Sequence, residues 1–432
     1  MSEIANTQTG EISVPFAKRF GPWIFLAVAL IVLPLIFSSN IAVYTMNLMG
    51  IFIIFALSYN MLLGQGGMLS FGHAVYFGLG GFMSVHFMNY IEYEVVVLPM
   101  FMLPIFGGII GLVFAVIVGS FSTRRAGTVF AMISLGIGEL IAASSLIFVA
   151  FFGGEEGVSG DRTMGPVIMD VDFAQDIEVY YLIAAWAFVT IALMYLFSRT
   201  PMGRMANAVR DNDERAEFIG YSQRKVRFIS FCASGFFAGI AGGLFAINFE
   251  IVTEENLNAL TSGVVLLMTY IGGVGFFIGP IVGAVIFTLL QTVLSNHTEI
   301  WQLYVGVMFV LTVMYVPQGL TGIMAMHIPA YRMKRLSGLV VPYIRAGIPT
   351  ILMLSGIVGF LEMVHHVRAA ALGETMMSLI GIEFDTHTVM PWIIVAILAV
   401  VGGYFTKSQM PQLKEAWEQA NAPLDSGEGA SS

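Results

Sequence analysis

Apolar runs separated by short polar segments fill the chain between residues 22 and 405. Twelve of them predict membrane-crossing helices: 22–38, 41–63, 74–90, 96–121, 127–152, 177–197, 228–249, 261–278, 279–295, 301–317, 346–364 and 389–405. Many approach or exceed the roughly 18 apolar residues that mark a membrane span. The roughly ten-residue segments of alternating polarity that build a membrane β-barrel do not occur. The pattern therefore predicts an all-α fold, a polytopic transmembrane helical bundle of about 10–12 spans with some broken or re-entrant helices.

Glycine interrupts this pattern at 64–81 (GQGGMLSFGHAVYFGLGG), 107–108, 239–243 and 272–284 (GGVGFFIGPIVGA). Small residues let membrane helices approach closely, which is one reading of every cluster. Residues 64–67 and 272–280 go further, because they break their spans, and broken backbone is stable only where protein or a water-filled cavity satisfies it. Gly66, Gly67, Ser70, His73, Gly272, Gly273, Gly275 and Pro280 are thus candidates to line a solute path. Glu139 is the clear ionisable residue inside a span, either a pathway group or a hydrogen-bonding partner in helix packing.

Charge orients the spans. With the N-terminus inside, twelve crossings return the C-terminus inside, and seventeen of the 19 Lys and Arg fall on inside segments, Arg162 and Arg368 excepted. Glu92, Glu94, Glu155, Glu156, Asp161, Asp170, Asp172, Asp176, Glu250, Glu254 and Glu255 make the outer loops acidic, so the net charge of -9 is mostly external. The first run is read as a retained span, not a cleaved signal, since a second span follows almost at once. QLKEAWEQA near the C-terminus is amphipathic, and the final LDSGEGASS has a disordered composition.

The chemistry is sparse. No Lys follows a Gly, so no GxxxxGK[ST] phosphate loop exists. The one cysteine, Cys232, cannot form an intrachain disulfide. His365 and His366, with Glu362 and His387 near them in sequence, read as a solvated loop in preference to a metal site, and His86 reads as a polar helix-end residue. The expectation is a non-enzyme with no catalytic residue, no metal and no cofactor bound by this chain.

Against this background the inside loop 198–227 is unusually polar. Thr200 can cap a helix with Pro201 at its first position, Gly220 can end it, and Met205, Val209, Ala216 and Ile219 share one face. Arg210 with Glu214, and Asp211 with Arg215, have i,i+4 spacing. A single amphipathic helix 201–220 is expected. Its polar face mixes Arg210 and Arg215 with Asp211, Asp213, Glu214 and Glu217, where a helix resting on anionic lipid is mainly basic, so it suits a protein socket on a separate motor subunit.

Glu214, Ala216 and Gly220 resemble the EAA loop of ABC importer permeases, which has Ala where this chain has Arg215. NMLLGQGGMLSFGHAVYFGLGGF (60–82), FAMISLGIGEL (130–140), PMGRMANAVRDNDERAEFIGY (201–221), SGVVLLMTYIGGVGFFIGPIVGA (262–284) and VPQGLTGI (316–323) resemble, in order, the signature segments of LivM-type permeases for branched-chain amino acids. The resemblance implies an ATPase-coupling interface at Arg210, Asp213, Glu214, Arg215, Ala216 and Gly220. It also implies the partners: a second LivH-like permease, two cytoplasmic ABC ATPases that carry ATP and Mg, a periplasmic amino-acid-binding protein, membrane lipid and no nucleic acid. The location implied is the bacterial inner membrane, with both termini cytoplasmic. The organisation expected is a tail 1–21, a permease core 22–325, an extension 326–405 with two extra spans, and a tail 406–432. Urea, short amides and other amino acids remain alternative substrates, and an ion-coupled secondary carrier or a solute-free membrane scaffold remains an alternative class.

Overall fold

The computed structural model describes residues 16–167, 171–369, 375–379 and 381–421; Asp170 and the segment LDSGEGASS lie outside them. Two compact units divide the chain, Met1–Leu289 with Pro317–Leu320, and Leu290–Val316 with Thr321–Ser432.

In the first unit α1 (Phe16–Ile36) and α2 (Asn40–Asn60) lead into a π-helical turn, Met61–Gln65. They are followed by α3 (Ala74–Glu92), α4 (Leu103–Ser122), α5 (Gly127–Ile147), the single turn α6 (Val149–Phe152), β1 (Val158–Ser159) and α7 (Asp176–Arg199). After α7 come α8 (Pro201–Asp211), α9 (Asp213–Phe218), α10 (Gln223–Phe249), β2 (Ile251–Val252), α11 (Ala259–Gly272) and the beginning of α12 (Gly279–Ser295).

The 27 residues of α10 make a rod of roughly 40 Å at ~1.5 Å per residue, and α2, α3 and α4 pack around it. Lipid tails are as apolar as leucine, so these helices associate through close dispersion contact, which small residues permit. Gly107 and Gly111 of α4 abut Gly239 and Gly235 of α10, and an added methyl at Gly107 would stand 2.6 Å from the Gly239 carbonyl. The clusters at 107–108 and 239–243 are therefore packing surfaces. Ile51, Ile54, Phe55, Tyr59, Phe77, Phe82, Ala238 and Leu244 fill the remaining interior.

At one end α10 meets α8 and α9; at its other end β2 pairs antiparallel with β1, Val158 opposite Val252. Arg162, buried at that end, donates from Nε to the Phe173 carbonyl (2.8 Å), from NH1 to the Asn248 carbonyl (3.2 Å) and from NH2 to Asp176 Oδ1 (2.9 Å). Its backbone N–H donates to Glu250 Oε1 (3.0 Å). This basic residue, an exception in the charge pattern, is thus an internal tie between the ribbon, α7 and α10.

The second unit contains α13 (Trp301–Tyr315), most of α14 (Gly319–Met326), α15 (Ile328–Arg332) and two 33-residue helices, α16 (Ser337–Ala369) and α17 (Val389–Asn421). A hairpin of β3 (Met376–Leu379) and β4 (Ile382–Asp385) lies between α16 and α17 in sequence. These two helices pack through Gly356 against Ala399 and Gly402 against Met353. The amphipathic QLKEAWEQA is the C-terminal part of α17, and Trp417 packs beside Ala330, Leu339 and Ala420.

Each of the twelve anticipated segments contains a helix, although 273–278 within 261–278 is a turn, and fewer are long and apolar enough to cross. Among the described residues seven helices are long and apolar enough to span a membrane, or eight if the bent pair Trp301–Tyr315 and Gly319–Arg332 counts as one. The 14 residues of α11 reach only ~21 Å, against ~30 Å of hydrocarbon, and α12 has 17 residues. Eight crossings would keep both termini on one side, as the charge-based orientation requires, whereas seven would put them on opposite sides.

Candidate functional site

The polar loop folds close to its sequence pattern, with one break. Thr200 Oγ1 accepts from Gly203 N at 3.2 Å and Pro201 opens α8, as local capping rules require. The helix then stops at Asn212, whose extended backbone (φ −161°, ψ 104°) separates α8 from α9 and whose Oδ1 caps α9 by accepting from Arg215 N at 3.0 Å. Asn followed by acidic residues in a first turn is a helix-start signal, and it corrects the single-helix expectation.

The break also changes the ion pairs. Arg210 pairs with its neighbour Asp211 (2.8 Å) instead of Glu214, and Asp213 pairs with Arg227 on α10 (3.4 Å). Ala206, Val209, Ala216 and Val226 bury the apolar side. Ile219 is not on that side: it caps α9 and, with Phe218, is exposed beside Glu214, Arg215 and Glu217. Gly220 takes φ +89°, a left-handed turn that glycine adopts without steric cost.

Arg210 reaches beyond this helix pair. Its NH1 donates to the Gly64 carbonyl, and its side chain crosses the face of Gly67, where a β-carbon would stand 2.8 Å from Arg210 Cγ. Gly64 belongs to the π-helical turn in which α2 loses its regular hydrogen bonding. Such turns are rare and often functional. Gly66 is buried at its end, Gly67 has φ +64°, and the chain stays non-helical until Ala74.

A third segment meets the same point. A β-carbon on Gly64 would strike the Asn60 side-chain oxygen and the Val274 carbonyl, so the 273–278 turn presses on the broken helix. Gly272 and Gly273 are buried where α11 ends, and Pro280 is buried in the first turn of α12. Gly283 faces the Met268 carbonyl and Gly319 (φ +66°) lies against Gly273, with no room for a side chain at either. Gly275, by contrast, is the exposed tip of the turn.

Ser70 and His73 lie further along the non-helical stretch. His73 Nε2 is 3.0 Å from Ser58 Oγ, and its ring stacks on Phe55 at 5.5 Å. Tyr59 donates to the Ser70 carbonyl at 2.9 Å, and Ser234 of α10 to the Ser58 carbonyl at 2.6 Å. Around this net Asn60 Oδ1, Gln65 Oε1, Ser70 Oγ, His73 Nδ1 and Ser230 Oγ are buried without a protein hydrogen-bond partner. Gly72 packs directly on Gly138 of α5, whereas Glu139 is exposed on that helix. Asn60, Gln65 and Ser230 went unremarked in the sequence because a lone polar residue among apolar ones carries no spacing signal. Among the described residues no group of three or more His, Cys, Asp and Glu could hold a metal ion.

The fold is that of a polytopic helical membrane protein, its broken helix tied to an amphipathic surface segment. Residues 41–316 match the family described as branched-chain amino acid transport system / permease component, and the chain belongs to that family. The high-affinity branched-chain amino acid transport system permease protein LivM of Salmonella typhimurium is 25% identical over 307 residues, covering 66% of this chain and 69% of that protein. LivM of Escherichia coli (strain K12) is 25% identical over 304 residues, with 65% and 69% coverage. The autoinducer 2 import system permease protein LsrC of Klebsiella pneumoniae is 31% identical over 105 residues, 23% of this chain and 30% of LsrC. No solved structure matches.

Proposed function

We propose that this chain is a membrane subunit of an ATP-driven importer that passes branched-chain amino acids, delivered by a separate binding protein, across the inner membrane. A second permease and two ATPases complete the assembly, and the ATP and Mg sites are on the ATPases. The observation that carries this reading is the bond from Arg210 to the Gly64 carbonyl, which joins the surface segment to the helix break. A motor that moves α8 and α9 would pull directly on the π-helical turn and on the 273–278 turn behind it.

The socket has the chemistry for a protein partner: exposed Phe218 and Ile219 beside Glu214, Arg215 and Glu217. The likeness to LivM, a permease for branched-chain amino acids, favours Leu, Ile and Val, and the buried polar atoms around Ser70 and His73 are the groups such a solute would meet. An ion-driven carrier needs its ionisable groups along the path, and Glu139 points out of the bundle.

Reconstitution of the complete complex tests the proposal. Leucine uptake into proteoliposomes should require enclosed ATP and external binding protein, and Glu214→Lys should abolish it in complexes that still assemble. Uptake by this chain alone, driven by an ion gradient, would overturn it.

A further inference from the structure

The apolar span α5 has one face turned to the bundle and another turned away. Phe130, Ala131, Ser134, Gly138, Ala142 and Ser145 are buried. Val129, Met132, Gly136, Glu139, Ala143 and Ile147 are exposed. The second set recurs at three- and four-residue intervals, so it forms one continuous stripe. Nothing in the chain lies within 4 Å of the position a β-carbon would take on Gly136.

Glu139 is 12 residues from one end of α5 and 8 from the other, or roughly 18 Å and 12 Å at ~1.5 Å per residue, which is too deep for a short carboxylate side chain to reach either interface of a ~30 Å layer. Among the described residues its carboxylate has no hydrogen-bond or ion-pair partner. Lipid tails offer it none. A second copy of this chain related by a two-fold axis along the membrane normal would bring a second Glu139 to the same depth, where two ionised carboxylates offer only acceptors and one must take up a proton to pair, whereas a hydroxyl, amide or basic donor satisfies the ionised form directly. Gly136 and Ala143, one heptad apart on the stripe, allow a facing helix to approach closely.

We propose that the α5 stripe is the seam against a different membrane subunit, whose facing helix presents small residues to Gly136 and Ala143 and a hydroxyl, amide or basic donor to Glu139. This rests on the reading of the chain as one of two unlike permeases. It gives Glu139 a role beyond either of its sequence readings, as a polar contact between subunits.

The test uses the full complex, co-expressed with the second permease, carrying a photo-crosslinking amino acid at Gly136 or Ala143, with Ile117 on the exposed face of α4 as the control position. Adducts identified by mass as the second permease should form from 136 and 143 and not from 117. Glu139→Leu should lower co-purified partner roughly tenfold, the scale of one interhelical hydrogen bond in a membrane, while Glu139→Gln should retain it. Adducts only with lipid, with another copy or within the chain, or normal partner recovery with Glu139→Leu, would overturn the seam. ATP-dependent uptake is measured on the same wild-type complex. Intact uptake without 136 or 143 adducts rejects the seam alone; adducts in a complex without ATP-dependent uptake support the seam and reject the transport reading.

Discussion

Arg210 combines two properties that lysine cannot: its guanidinium holds Asp211 and the Gly64 carbonyl at once, while its methylene stem covers Gly67. Arg210→Lys should therefore keep assembly and lose most transport, measured as uptake per assembled complex. Arg162 is the corresponding residue at the opposite end of α10. Arg162→Ala removes charge-assisted bonds to Asp176 and two carbonyls, and should destabilise the detergent-solubilised protein by about 2 kcal/mol, read as a lower thermal midpoint. Nearby, the Thr163 hydroxyl and then its amide donate to Asp161 and hold that carboxyl below its ordinary range. The stabilisation is thus present above the unfolded pKa and is lost as pH falls through the lower folded value. Amide-exchange protection of Thr163 should follow that course and lose its acid dependence in Asp161→Ala.

Helices and turns were legible where their determinants are local. Thr200 and Pro201 start α8 because a hydroxyl and a fixed φ are enough, and the apolar runs are helices because lipid leaves the backbone no other solution. The break at Asn212 escaped the amphipathic pattern because Met205, Val209 and Ala216 remain on one buried side across it. Asn212→Ala should remove the α9 cap and cost about 1 kcal/mol locally, seen as faster amide exchange over 213–218. The direction faced by Glu139 was not legible at all. Both sides of α5 are apolar, one toward protein and one toward the surroundings, so periodicity cannot tell them apart. Turn geometry is equally demanding at Gly319, where a methyl would overlap Gly273. Gly319→Ala should lower stability by ~1–3 kcal/mol, whereas Gly306→Ala, in open space, should not.

For the whole molecule, the sequence showed a helical bundle with a polar loop and two glycine breaks, but it held these as separate features. Arg210 and Gly64 are 146 residues apart, and Gly64 and Val274 meet only in the folded chain. No spacing rule connects such positions. Their convergence makes the central claim mechanical: force applied at α8 and α9 reaches the broken helix through one side chain and its neighbours. The most direct measurement follows ATP hydrolysis and leucine uptake in the same proteoliposomes for wild type and Arg210→Gln. The account predicts that the variant complex still hydrolyses ATP while uptake falls at least about tenfold, the effect of losing a charge-assisted contact worth ~1.5 kcal/mol. Uptake and hydrolysis that both stay at the wild-type level would contradict it.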